Sequence, residues 1–146
     1  LPATLKTTPP PIITNIYSGK YAFAALDVTR KVHVWGLGNH GGQLPSTLTN
    51  STITKMFSAT YTFTALTSDG MVVKWGHSSF DKIGENSSGE KVTVIYNVSS
   101  MSIPTFDRLV GYIVTATHMD DTTISWNNDQ RTDDVIPTKF LTATAG

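Results

Sequence analysis

The residues of this 146-residue chain best suited to acid–base or metal chemistry are four histidines, His33, His40, His77 and His118. None falls in an HxH or HExxH spacing, so a metal centre would need them to converge from distant parts of the fold. The chain has no cysteine, which removes thiolate nucleophiles, thiolate ligands and disulfides. No Gly-x-Ser-x-Gly elbow occurs, and the carboxylates are scattered through loop-like stretches. Residues 36–44, GLGNHGGQL, are glycine-rich but open no helix, so they lack the frame of a phosphate cradle. The oxygens of residues 127–134, NNDQRTDD, are too irregularly spaced for a calcium loop. The expectation is no catalytic residue, no metal and no cofactor. His33 is expected to pack beside Trp35 instead of binding a ligand.

Aromatic side chains offer a second chemistry, stacking on sugar rings. Trp35, Trp75 and Trp126 nevertheless sit in a fixed context that points to packing. Each follows a tyrosine by 14 positions, the pairs being Tyr21 and Trp35, Tyr61 and Trp75, and Tyr112 and Trp126. An alanine recurs four places after each tyrosine, as Ala25, Ala65 and Ala116. Self-similarity at a spacing of 40 and then 51 residues marks a repeat architecture. A position reused in every repeat is one that meets the next repeat. Tyr21, Ala25, Trp35, Tyr61, Ala65, Trp75, Tyr112, Ala116 and Trp126 are therefore read as the repeat core, with all three tryptophans more than three-quarters buried.

The elements that hold these positions are strands. Alternation of period two runs through residues 22–26 and 62–66, and again before each tryptophan, as expected for sheets whose two faces see different surroundings. Asp69-Gly70 lies between two such runs and predicts a two-residue hairpin turn of type I′, which needs positive φ at both positions. Thr29-Arg30 and Asp120-Asp121 stand at the equivalent places and predict turns of another type or length. Upstream, ITNIYS at residues 13–18 aligns with ITKMFS at 53–58 as one more strand per repeat.

These residues resemble the repeat of the regulator of chromosome condensation family. The first copy shows Gly19, Ala25-Leu26, Val32, Trp35-Gly36, Asn39 and Gly42-Gln43-Leu44; the second shows Ala65-Leu66, Asp69-Gly70, Val72, Trp75-Gly76 and Ile83-Gly84. The third keeps Tyr112, Ala116, Asp120 and Trp126. Ala22 and Thr62 stand where the family has His, Ala59 replaces its leading Gly, and Pro45 its closing Gly. The resemblance implies an all-β fold of three β-propeller-like blades built as antiparallel meanders. It also implies an incomplete propeller that closes by oligomerisation or belongs to a larger chain. The expected segments are a Pro/Thr-rich linker at 1–11, blade 1 at 12–50, blade 2 at 51–100 with an inserted loop and extra strand at 84–98, a degenerate blade 3 at 101–134, and a further repeat start or closing strand at 135–146.

Composition bounds the partners. With 39% hydrophobic and 15% charged residues the chain is a folded domain, and 11 basic against 11 acidic residues leave no electrostatic footprint for nucleic acid. No apolar run reaches the length of a membrane span. Asn50, Asn86 and Asn97 head Asn-x-Ser/Thr sequons, which with the Pro/Thr stretch suggest an extracellular or particle-surface setting. The predicted function is a non-catalytic structural or binding module that presents loops to a protein or glycan partner, with self-association or the remaining blades of a parent protein also expected as partners. What the resemblance implies is a propeller fragment for small-GTPase nucleotide exchange or chromatin binding. A lectin is the third reading.

Overall fold

A computed structural model describes residues 1–85, 88–108, 111–129 and 143–144 of the chain. It is all-β, with antiparallel sheets joined by turns and short 3-10 segments. The first sheet is a meander of β1 (Ile13–Ser18), β2 (Ala22–Asp27) and β3 (Val32–Gly36). The second repeats it as β4 (Ile53–Ser58), β5 (Thr62–Thr67) and β6 (Val72–Gly76). The register is the same residue for residue: Phe23 faces Trp35 as Phe63 faces Trp75, and Ala25 faces His33 as Ala65 faces Val73.

The 84–98 insertion divides in three. β7 (Gly84–Glu85) and β8 (Lys91–Val92) form a small hairpin, and β9 (Val94–Ile95) adds to β6 as a fourth strand. Val98 already belongs to β10 (Val98–Met101), which pairs in the third sheet, so the second blade ends before residue 98 and not at 100. The split has a simple cause, since Asn97 takes a positive φ of 60° and breaks the strand there.

In the third sheet, β10 and β11 (Thr105–Asp107) both pair with the long β12 (Gly111–His118), followed by β13 (Thr122–Asn127). β14 (Ala143–Thr144) adds antiparallel to Thr122–Thr123 at its outer edge. Of the 135–146 segment this pair alone lies among the described residues, and it adds to the third sheet. At the other end, residues 3–5 form a 3-10 turn, and the Thr4 hydroxyl lies 2.8 Å from His33 Nδ1. The 1–11 segment thus folds back on the first blade and is not an extended linker throughout.

The β2–β3, β5–β6 and β12–β13 hairpins share one turn, which corrects both the type I′ expected at Asp69-Gly70 and the difference expected of Thr29-Arg30 and Asp120-Asp121 from it. Gly70 N donates to Thr67 O at 3.1 Å and Thr67 N to Met71 O at 2.8 Å, which makes a three-residue loop with a single left-handed residue at its end. That residue is Gly70 at φ 90°, Arg30 at φ 68° and Asp121 at φ 69°. Asp69 itself does not adopt positive φ. The turn's first residue braces the loop from its side chain: Asp27 Oδ1 accepts from Thr29 N at 2.8 Å and Lys31 N at 3.0 Å, and Thr67 Oγ1 accepts from Met71 N at 3.0 Å.

The carbonyl of the left-handed residue then clasps the next blade. Ile53 N donates to Arg30 O, and Val98 N to Gly70 O, both at 2.8 Å. Between the blades lie two apolar layers. The first sets Ala22, Ala24 and Leu26 of blade 1 with Leu48 against Ile53, Met56, Phe63 and Trp75 of blade 2. The second sets Phe57, Leu66 and Val72 with Ile83 against Val114, Ile124 and Trp126 of blade 3. The small alanines leave room for Phe63 and Trp75, and the Trp75 indole N–H donates to Gly41 O at 3.2 Å. A buried charge sits between the second and third blades. Lys74, 1% exposed, donates from Nζ to Asn128 O at 3.0 Å. Burial pushes its pKa down to about 8, against the partly restoring fields of Asp129 and Asp81.

Candidate functional site: an aromatic and histidine cluster on the loop face

Trp75 is 5% exposed and Trp126 2%, while Trp35 is less buried than its two counterparts. Ala25, Ala65 and Ala116 are buried. The tyrosines differ. Tyr21 is 47% exposed and Tyr112 52%, with Tyr61 half-buried. Tyr21 and Tyr112 are therefore not core residues. The reason is positional: each tyrosine stands just before or at the start of its second strand, above the level that the neighbouring sheet covers. Its backbone is fixed all the same. Leu37 N donates to Tyr21 O at 2.9 Å, His77 N to Tyr61 O at 3.0 Å, and Asn128 N to Tyr112 O at 2.8 Å, so one bond per repeat anchors the tyrosine while its ring points outward.

The Trp-Gly pairs make this approach possible. Gly36 and Gly76 have φ of 110° and 136°, and a Cβ at Gly76 would lie 2.8 Å from Thr62 Cα. The chain therefore turns back across the tyrosine at these two points, and the loops that follow bring His40 and His77 to the same surface.

There the rings assemble. His40 meets Tyr21 edge-on at 5.0 Å and Tyr61 at 5.7 Å, and its ring lies 4.8 Å from that of His77. Tyr21 and Tyr61 stack at 6.3 Å, and Phe80 closes the far side at 4.9 Å from Tyr61. Lys20 Nζ lies 5.3 Å from the Tyr21 ring centre and 6.0 Å from that of Tyr61. Its pKa is raised, first by hydrogen bonding to the Tyr21 side chain. That of His40 is lowered, by burial and then by the neighbouring His77. Lys20 N donates to Thr60 O and Thr60 N to Asp129 Oδ1, both at 2.8 Å, which ties the loops of all three blades together. Beside this cluster a cleft of about 760 Å³ runs between Lys20, Phe57, Ile103, Tyr112 and Asp129.

The other histidines stand apart. His118 Nδ1 lies 3.3 Å from Thr122 O. His33 Nε2 lies 2.8 Å from Asp27 Oδ2, with the Thr4 hydroxyl on its other nitrogen. Hydroxyl, imidazole and carboxylate in that order is the order of a nucleophilic relay. Here, however, Asp27 is committed to the turn. Burial pushes its pKa up, but bonds from the Thr29 side chain, His33 and the Lys31 and Thr29 backbone outweigh it and bring it to about 2. The set braces the residue 3–5 turn against the first hairpin. No group of three or more His, Asp or Glu side chains that could hold a metal occurs among the described residues.

Sequence reasoning missed the His40–His77 contact because the two residues are 37 positions apart. The one available signal was that both follow a Trp-Gly. Asp69 and Gly70 sit in the turn at the opposite end of the blades from the cluster. Asn50 and Asn97 are exposed, and Asn86 lies outside the described residues.

No protein-family profile matches the chain, and no curated protein sequence does. Solved structures do match. Human WBSCR16 superposes with a TM-score of 0.50 at 14% identity, over 79% of this chain and 33% of that one. Prp20p from Saccharomyces cerevisiae, whose structure is described with its binding properties to Gsp1p and histones, gives 0.46 at 21% identity over 77% and 30%. The same yeast protein, RCC1 (Prp20) with Kap60 bound to it, gives 0.44 at 18% over 77% and 29%. The chain thus spans about a third of the length of the solved structures it matches. The extracellular or particle-surface setting expected above is contradicted: the solved structures named here are of intracellular proteins. The fold of the described residues is that of β-propeller blades, like those of human WBSCR16.

Proposed function

We propose that this chain is a non-catalytic binding module that holds a protein partner on the loop face carrying Lys20, Tyr21, His40, Tyr61, His77 and Phe80. The observation that carries the reading is a tyrosine at the same repeat position in every blade with its backbone pinned, the rings of Tyr21 and Tyr112 exposed and that of Tyr61 half-buried in the ring cluster beside Tyr21. Rigid aromatic rings supply contact area at low entropic cost, and tyrosine is enriched where protein interfaces concentrate their energy. The adjoining cleft lined by Ile103 and Tyr112 extends that surface towards the third blade. Blade-to-blade packing uses Trp75 and Trp126, which leaves the exposed rings of Tyr21 and Tyr112 available to a partner.

The nucleotide-exchange reading rests on the family resemblance, and the matched yeast protein is described as binding Gsp1p. A small GTPase is therefore one protein class to offer this face. The test compares the chain with a Tyr21→Ala/Tyr61→Ala double variant in affinity capture against a proteome and on a glycan array. Capture of a defined protein that the double variant loses at least tenfold, while it still unfolds in one cooperative transition, is the expected result. Capture that is indifferent to both substitutions would overturn the reading, as would binding confined to glycans.

A further inference from the structure

Among the described residues the first blade has three strands, against four in the second and five in the third. In blade 2 the outer edge of β6 is covered by β9, with Val72 opposite Ile95, Val73 opposite Val94, and Lys74 N donating to Thr93 O at 2.9 Å. In blade 3, β14 covers the edge of β13. In blade 1, β3 pairs with β2 alone among the described residues. Because the registers of the two hairpins match, Val34 occupies the place of Lys74, and its N–H points away from β2. No backbone hydrogen bond from outside β2 reaches Val32 or Val34 among the described residues. The backbone–backbone bonds of residues 37–51 run among themselves and to Tyr21, not to the β3 edge.

Exposed sheet edges are normally guarded by lysine, proline, a bulge or an inward charge. β3 reads Val-His-Val-Trp-Gly and has none of these. Its only ionisable side chain, His33, is already held by Asp27 and Thr4. The edge is β-branched and has no paired strand among the described residues.

We propose that the outer edge of β3 is a docking site for an extended, β-branched peptide segment of a protein partner, which adds antiparallel to Val32–Gly36 as the fourth strand of blade 1. The equivalent edge of blade 2 shows the chemistry of the occupant, a Thr-Val-Ile run in which the successive residues Val94 and Ile95 lie opposite Val73 and Val72, one on each face of the sheet. On blade 1 the same residues would lie opposite His33 and Val32, while the incoming carbonyl takes up the Val34 N–H. Main-chain bonds supply the affinity in this mode and the alternate side chains the specificity. The site is separate from the loop-face cluster and does not depend on the function proposed for it.

The test uses the whole chain and a synthetic peptide of the sequence of residues 92–96, Val-Thr-Val-Ile-Tyr, with a version carrying proline at its centre as control. Amide exchange is followed at Val34 and, for reference, at Lys74. Val34 is expected to exchange at least tenfold faster than Lys74 in the free chain and to slow at least tenfold on adding the peptide but not the control. Val34→Pro removes the outward N–H without touching the β2 ladder and should abolish the slowing, read as loss of peptide binding. Slow exchange at Val34 in the free chain, independent of concentration, would show an edge already covered and overturn the proposal. So would protection that rises with chain concentration alongside a dimer in sedimentation, since the occupant would then be a second copy. Peptide binding unchanged in a folded Val34→Pro chain would overturn it as well.

Discussion

Replacing Lys74 by methionine should change how stability depends on pH more than stability itself. The ammonium is 1% exposed between two blades, and its pKa falls from 10.5 to about 8, chiefly through burial. That displacement corresponds to about 3 kcal/mol of penalty on the charged form in the fold. The folded value lies below the unfolded one. The penalty is therefore fully present below about pH 8, fades as the pH rises, and is gone above 10.5, so the chain gains stability across that window. Lys74→Met keeps most of the volume and removes the charge. It also leaves the Asn128 carbonyl without its donor, at a cost of about 1–3 kcal/mol. The two effects nearly cancel at neutral pH. Denaturant titrations of both chains at several pH values should show the parent gaining about 3 kcal/mol on the variant between pH 8 and 10.5. Taking the difference removes the ionisation of the tyrosines common to both. Parallel curves would mean that Lys74 is hydrated in solution and that the second and third blades do not close over it.

Trp75→Ala should destabilise by about 3–5 kcal/mol in thermal or chemical unfolding, because it empties the layer between the first two blades and leaves Gly41 O unpaired. Asp121→Gly should stabilise by about 1 kcal/mol in the same assay, since Asp121 is exposed and pays for its φ of 69° with no side-chain bond to hold it. Gly76→Ala should cost about 2 kcal/mol or more, as the new Cβ meets the Thr62 backbone at a φ of 136°. Asp27→Asn should remove stability that the parent holds above pH 3.8 and loses as the pH falls through about 2, so the gap between their acid-unfolding curves should close across that window.

The blades were legible in the sequence because the tyrosine–tryptophan spacing is conserved between copies and strands alternate with period two. Trp75 against Phe63, and Trp126 against Val114, follow from that register. The same spacing carried no information about what lies beside a repeat. Trp35 shares the local register of Trp75, yet no described blade packs on its face, so it stays more open. Tyr21 and Tyr112 repeat as faithfully as the tryptophans but for a different reason, a carbonyl bond that fixes the backbone and leaves the ring out. Repetition marks a constraint without saying whether it acts on side chain or main chain. The common hairpin turn was hidden because only Gly70 advertises a left-handed residue, whereas Arg30 and Asp121 take the same conformation without any sequence signal. The ring cluster depends on loops from two blades meeting, and no local pattern encodes that.

The most direct measurement is hydroxyl-radical footprinting of the folded chain read out by mass spectrometry at the repeated aromatic positions. Trp75 and Trp126 should be protected at least tenfold relative to the unfolded chain, while Tyr21 and Tyr112, fixed in the same repeats, should be modified nearly as fast as when unfolded. Protection of the tyrosines together with free modification of the tryptophans would contradict both the blade packing and the binding face built on it.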